Sequence, residues 1–329
     1  MKRTRWGIIG PGNIAHDFVN DLAFVETQQV RQAVLGRTEE NTRKFAQKNN
    51  IPQVFTDLDD FIKKAKIDAV YIATPHTLHY EQALACLEKR IPVLCEKPMT
   101  INADQAQELI DAAAANNTFL MEGMWVRFLP SICQVIDMIR KGTIGNIISI
   151  KASMSYKAPR DQESRYFNPE LGGGSLLDLG IYPVFLALLL LGKPNAIKAV
   201  GKLSGEEIDE ACSVLFHYKN GQYAVLESSL VTQTESVAEI TGDRGVIKIL
   251  NPWNEKPEGI QLDLFEAGKI IYPCKWDGHG FQFEVEEMLD CIENNKISSD
   301  RLSHQFSLTM IKIMDEIRQQ IHVKYDMYE

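Results

Sequence analysis

The sequence predicts an α/β fold built on a doubly wound parallel sheet, followed by an α+β region with a large, mostly antiparallel open sheet. Three observations carry this. The chain opens on an apolar run, Trp6-Gly7-Ile8-Ile9, that enters the turn Gly10-Pro11-Gly12; Ile14, Ala15, Phe18, Val19 and Leu22 then recur at helical spacing. From residue 5 to about 121, short apolar runs alternate with helical patterns, as right-handed crossovers onto a parallel sheet require. Beyond that point strand patterns follow one another with turn residues between them, which is the grammar of hairpins.

In the first part the opening strand and its helix are followed by strands predicted at 30–35, 68–73, 92–95 and 119–121, with helices at 42–48, 58–64, 78–88 and 103–115. A helix at 131–140 precedes strands at 147–156, 197–203, 213–218, 223–228, 237–240, 247–249, 260–265 and 270–272. Asn220-Gly221 suits a two-residue type I′ hairpin turn, and Gly242-Asp243-Arg244-Gly245 and Ala267-Gly268 are similar punctuators. Helices at 281–294 and 304–320 close the chain. The expected division is a dinucleotide-binding domain over 1–123 and a substrate-binding and dimerisation domain over 124–329. An open sheet with few helices to cover it leaves a bare face, so a homodimer through that sheet is expected, with cover by long loops as the alternative.

Composition narrows the partners. The 329 residues carry a formal net charge of −9 and no Lys/Arg run, which argues against nucleic acid. Cys86, Cys95, Cys133, Cys212, Cys274 and Cys291 are scattered, with no Cys-x-x-Cys and no metal-ligand spacing, so buried thiols and no metal are expected. The longest apolar run, 184–191, is far short of a membrane span, and the N-terminus reads as a strand without a leader's apolar core. The expectation is a cytoplasmic protein with no membrane partner.

The residues that carry chemistry cluster after strands. Gly10 and Gly12 let the backbone turn sharply and approach a pyrophosphate, while Asn13 and Ile14 begin a helix whose amides and dipole favour an anion. The second strand ends Leu35-Gly36-Arg37-Thr38. No carboxylate stands there for a ribose 2′-hydroxyl; Arg37 can grip a 2′-phosphate through paired charged hydrogen bonds and Thr38 can add a hydroxyl, so NADP is expected over NAD. An arginine merely exposed at a helix start is the plainer reading. Thr74, His76 and His79 follow the next strand, where ribose or pyrophosphate can be touched; a satisfied helix histidine is an equal reading of His79. Glu96-Lys97-Pro98 follows the strand after that.

Gly10-Pro11-Gly12 together with Glu96-Lys97-Pro98 resembles the Gfo/Idh/MocA oxidoreductase family. The runs 121–130 (MEGMWVRFLP) and 172–183 (GGGSLLDLGIYP) are similar to its branch containing dimeric dihydrodiol dehydrogenase and NADP-dependent D-xylose dehydrogenase. The resemblance implies a Rossmann domain, an open sheet often used for dimerisation, and oxidation of a hydroxyl on a small polyhydroxylated substrate, an aldose at C1 or a trans-dihydrodiol. It makes Lys97 the catalytic lysine, its bond to Pro98 cis as in relatives, and puts Asp178 and Tyr182 on the family's helix motif. Glu96 joins the implied cofactor contacts. Gly36 and His76 depart from the common pattern, where other small residues and Asn are usual.

Elementary chemistry supports these roles. Removing a hydride from an alcohol requires a base for its proton. A tyrosine near pKa 10 needs a nearby cation to become that base, and Lys97 supplies one; Lys97 can instead carry the proton itself if desolvated, and both assignments stay open. Asp178 and Tyr182 would share a helix face, Gly180 would clear space near the cofactor, and Pro183 would bend the helix. Trp125 and Arg127 are expected at the cofactor, and Trp125, Tyr156, Arg160 and Tyr182 at the substrate; Phe128 reads equally as an apolar packing residue. The stretch 157–174, with Arg160, Arg165 and Tyr166, is long enough to be a lid. Two rivals remain: a non-catalytic NADP-binding sensor or scaffold, and an imine or tetrapyrrole reductase on the same fold.

Overall fold

A computed structural model describes residues 3–160, 164–205, 208–325 and 328. The chain divides into two compact units, one of residues 1–128 with 277–308, the other of 129–276 with 309–329.

The first unit is a six-stranded parallel sheet in the order β3-β2-β1-β4-β5-β6. Its elements are β1 (Thr4–Ile9), α1 (Asn13–Asp21), β2 (Gln29–Leu35), α2 (Glu39–Asn49), β3 (Gln53–Phe55), α3 (Leu58–Lys64), β4 (Ala69–Ile72), α4 (His79–Glu88), β5 (Val93–Glu96), α5 (Ala103–Ala115) and β6 (Leu120–Gly123). Strand order reverses beside β1, so the carboxyl ends of β1 and β4 flank the crevice where open sheets of this kind take ligands. β4 and β5 are buried along their whole length, as a sheet covered on both faces demands. The three-residue β3 is absent from the sequence expectation: Gln53, Val54 and Phe55 are all half-buried, too short a run to show periodicity.

The second unit contains α6 (Pro130–Arg140), β7 (Ile147–Ser155), α7 (Ile181–Leu191), β8 (Ala196–Leu203), β9 (Asp209–His217), β10 (Tyr223–Ser229), β11 (Ala238–Gly242), β12 (Gly245–Ile249), β13 (Gly259–Leu264) and β14 (Gly268–Pro273). These strands form one eight-stranded sheet, β14-β13-β12-β11-β7-β10-β9-β8, antiparallel except for the β7–β10 pair. Ile150, Ala152, Val214, Phe216, Ala224, Leu226, Ile240 and Ile247 line its buried face. The apolar α7 packs against β7 and β10. The stretch Pro169–Leu191 is long and apolar enough to cross a membrane by composition, but most of it is buried, as a core helix is.

The Asn220-Gly221 turn differs from the two-residue type I′ expected. Only Gly221 is left-handed (φ +81°), its amide donates to Tyr218 O at 3.0 Å, and the Tyr218 amide donates to Gln222 O at 3.0 Å. The loop is therefore one residue longer, with Gly221 in the bulge position.

The last helices are α8 (Phe281–Glu293) and α9 (His304–Ile321). α8 belongs to the first unit, a return that the expected single break at 123/124 did not include. Asp21, at the end of α1, explains it: its buried carboxylate accepts the amides of His279, Gly280 and Phe281 at 2.7 to 3.0 Å. The Phe281 ring then packs edge-on to Phe18, which stacks on Tyr71.

Candidate active site

The glycine turn of the first unit is shaped for a phosphate. Gly10 has φ +94°, and a Cβ there would lie 2.7 Å from the Ala73 carbonyl, so only glycine lets β1 turn against the end of β4. Gly12 is the reverse case: a Cβ would meet nothing within 4 Å. It precedes α1 with no side chain capping that helix, and Gly12, Asn13 and Ile14 are exposed. An uncapped helix start over open space fits a pyrophosphate.

Gly36 is required for a reason the sequence did not reveal. A Cβ at Gly36 would sit 2.3 Å from Thr42 Oγ1 and 2.7 Å from Pro11 Cγ, so the glycine lets Pro11 close on the end of β2. Arg37 and Thr38 follow, both exposed, and Arg37 makes no salt bridge among the described residues. The acids that come next are engaged, Glu39 by Arg43 and Glu40 by Lys44.

Thr74 Oγ1 donates to Gln82 at 2.6 Å, and His76 is buried beside His79. His79 is completely buried, with Nδ1 2.8 Å from Pro98 O and Nε2 2.8 Å from Thr74 O. Both ring nitrogens thus face backbone carbonyls. The ring ties the two loops together, and this corrects the expectation that it contacts a cofactor.

The Glu96-Lys97-Pro98-Met99 loop leaves the carboxyl end of β5 with a cis bond between Lys97 and Pro98. Glu96 accepts the Tyr71 hydroxyl at 2.5 Å and the Lys97 amide at 3.2 Å; it lies inside, where a cofactor contact was expected. Glu122, on β6, accepts the Met99 amide at 3.0 Å and the Ser307 hydroxyl. Burial pushes the Glu122 carboxyl up, while these donors and the Lys97 charge pull it down. With His79 on Pro98 O, three buried polar side chains hold the loop that presents half-buried Lys97. Glu122 was missed by sequence reasoning; a lone acid in an apolar strand pattern, Leu120-Met121-Glu122-Gly123, was its only signal.

Trp125 stacks on Phe281, centroids 4.7 Å apart. Arg127 is buried with Nε donated to Arg301 O at 2.8 Å, and Arg301 covers the Phe128 ring. That contact gives Arg127 a structural partner that the sequence did not show.

In the second unit, Asp178 lies in one turn of π-helix, Leu176–Gly180, and Tyr182 in the first turn of α7. The wider turn precedes Pro183, where a simple bend was expected; a π turn accommodates a residue that lacks an amide. Both side chains are buried. Arg165 NH1 and NH2 each lie 3.2 Å from Asp178 Oδ1, a pair that sequence reasoning did not draw. Gly180 faces β10: a Cβ would lie 3.0 Å from Ser228 Oγ, so the glycine serves close packing, in place of the clearance for a cofactor that was expected. Tyr156 is exposed, its ring 5.5 Å from Tyr166, over which Arg165 sits. Arg160 is taken by Glu210, which also holds Lys202 at 2.9 Å. Its expected place at the substrate therefore comes with an acidic partner that the sequence did not show. The centre of the expected lid, 161–163, lies outside the described residues.

Comparison with known proteins gives the family. The family described as "Oxidoreductase family, NAD-binding Rossmann fold" (GFO_IDH_MocA) matches residues 4–124, and its C-terminal domain family matches 132–248. A trans-1,2-dihydrobenzene-1,2-diol dehydrogenase of Xenopus tropicalis is 34% identical over 98% of this chain and 99% of its own. The chain belongs to the Gfo/Idh/MocA oxidoreductase family. A second member, scyllo-inositol 2-dehydrogenase (NADP(+)) of Bacillus subtilis, is 34% identical over 98% of both chains. The fold is shared with aldose-aldose oxidoreductase from Caulobacter crescentus, with a TM-score of 0.88, 21% identity and 98% of each chain covered. As a Gfo/Idh/MocA oxidoreductase the chain uses its first unit as an NAD(P)-binding Rossmann domain, consistent with the cradle at Gly10 and Gly12.

Proposed function

We propose that the protein is an NADP-dependent dehydrogenase that oxidises a secondary or anomeric hydroxyl of a small polyhydroxylated ring, an aldose at C1 or a cyclic trans-diol. The observation that carries this is Lys97, presented from the carboxyl edge of the parallel sheet on a loop held by Glu96, Glu122 and His79. Two relatives at 34% identity support the substrate class: dihydrobenzenediol and scyllo-inositol both offer a ring carbinol flanked by a trans hydroxyl.

A bound nicotinamide would supply the acceptor for a hydride leaving the carbinol carbon. Lys97 and Tyr182 are the groups for the acid–base work, the amine or the phenol taking the hydroxyl proton. Asp178, paired with Arg165, orients the turn before Tyr182. Gly12, Asn13 and Ile14 take the pyrophosphate, and Arg37 with Thr38 take the 2′-phosphate. A panel of aldoses, inositols and trans-dihydrodiols, each with NADP and NAD, tests the reading. Turnover of at least one of these alcohols with NADP is expected; reduction of double-bond acceptors without any alcohol oxidation overturns it. Arg37→Ala should raise KM for NADP about 10- to 100-fold, from the loss of charge-assisted bonds, and leave KM for NAD unchanged.

The exposed face of the second unit's sheet is proposed as a homodimer interface. Pairing register puts Lys198, Leu215, Val225, Lys151, Glu239, Lys248 and Ile271 in one row across it. Val200 is 76% exposed and Leu215 45% on the same face. Analytical ultracentrifugation should find a dimer that Leu215→Glu converts to monomer; a wild-type monomer at micromolar concentration rejects it.

A further inference from the structure

The second unit buries a carboxylate that the proposed chemistry does not use. Asp209, at the start of β9, is completely shielded from solvent. Its Oδ2 accepts the Ser175 hydroxyl at 2.6 Å and the Leu176 amide at 2.7 Å. Ser175 Oγ also lies 2.9 Å from Ser228 Oγ on β10. These donors open the π turn that carries Asp178 and leads into Tyr182. The first amides of a helical segment have no acceptor within it, and here a neighbouring strand supplies one. The preceding residue is built for the same contact: Gly174 has φ +121°, and a Cβ there would come within 2.5 Å of Asp209 Oδ1. One residue earlier, Gly173 O accepts the Tyr325 hydroxyl at 2.5 Å.

We infer that Asp209 is a positioning residue: from β9 it fixes the start of the π turn, and through that turn the orientation of Asp178 and Tyr182. The inference rests on the proposed roles of those two residues. Asp209 Oδ1 has no hydrogen-bond partner among the described residues, so a proton can sit there without disturbing the two bonds to Oδ2. Burial pushes the group up to about 6, against the pull of its donors. The titratable and charged groups around it are Cys212 on its own strand, Tyr325 with Arg318 over its ring, and the adjoining Glu210 with Arg160 and Lys202. Asparagine keeps an oxygen for the Leu176 amide and puts an amide group where Oδ1 stands; alanine removes both.

The test compares Asp209→Ala and Asp209→Asn in the full chain by steady-state kinetics, pH profile and amide hydrogen exchange over 175–180. Asp209→Ala should lower kcat about tenfold or more, from loss of orientation, with KM for NADP unchanged and faster exchange at Leu176. Asp209→Asn should recover most of kcat and remove any inflection near about 6. Wild-type kcat in Asp209→Ala, or unchanged Leu176 exchange, overturns the inference. Should Asp209→Ala not fold, Asp209→Asn and Ser175→Ala decide it by the same exchange measurement, Ser175→Ala speeding exchange and unchanged exchange in it rejecting the inference. Full activity in Tyr182→Phe would sink the reading of Tyr182 itself, while the exchange data would still decide whether Asp209 holds the turn.

Discussion

The loop carrying Lys97 and the turn that carries Asp178 and leads into Tyr182 are held by one device, a buried carboxylate that accepts backbone amides, but the two are balanced differently. In the first unit, Glu96 takes the Tyr71 hydroxyl and the Lys97 amide, Glu122 takes the Met99 amide and the Ser307 hydroxyl, and the Lys97 charge acts on Glu122. In the second unit Asp209 has hydroxyl and amide donors, with one oxygen bare and a pKa pushed up to about 6. Burial outweighs the donors at both Glu122 and Asp209 and raises each carboxyl; Glu122 also feels the Lys97 charge, whereas Asp209, held by neutral donors alone, reaches about 6. The turn that leads into Tyr182 should therefore carry a titration at about 6 through Asp209.

The sharpest way to break this comparison is to remove the two side chains being presented. Lys97→Met should lower kcat about 10³-fold or more, because it deletes both the cation and a proton carrier. Tyr182→Phe should cost about 10²-fold, since Lys97 remains as an alternative proton acceptor. Both should retain wild-type circular dichroism. If Tyr182→Phe is the more damaging, the proton rests on the phenol alone and the two motifs are not equivalent partners. Next in size, Glu122→Ala removes the acceptor for the Met99 amide and should cost about 1–3 kcal/mol of stability, measured by urea unfolding, because a buried amide loses its partner. Equal stability would mean that Glu96 and His79 hold the loop without it.

The two regions also differ in how far they could be read from the chain. The glycine turn was legible because strand, turn and helix stand in sequence order, and Lys97 was legible as the end of a predicted strand, where ligands meet open sheets; its proposed role came from the family resemblance alone. The parallel sheet, the hairpin strands and the segments 58–64 and 103–115 follow the same local rules. Contacts that bridge distant residues were not legible. Asp209 meets Leu176 across 33 positions, Arg127 meets Arg301 across 174, and Asp21 captures the start of α8 across about 260. Arg160 and Arg165 look alike in sequence, yet one goes to Glu210 and the other to Asp178, a choice made only by packing. Gly180 read as room for a cofactor, whereas it makes room for its own chain, as Gly36 does.

The smallest expected effect sharpens the comparison by adding a carboxylate with no donors at all. Glu284, on α8, is completely buried, and neither oxygen has a hydrogen-bond partner among the described residues. Burial, and then the charge of Glu96, push it well above the usual carboxylate range. The folded value lies above the unfolded one, so the unfolded state loses its proton first. The protonated group's contribution is fully present below the unfolded value and is lost as pH rises through the folded value. Glu284→Gln abolishes that loss. The variant should match the wild type in mildly acidic buffer and exceed it by about 1 kcal/mol in mildly alkaline buffer, read from urea midpoints at the two pH values. A variant equally destabilised at both would mean that Glu284 has a partner that matters, and that bare burial is not what separates it from Glu122.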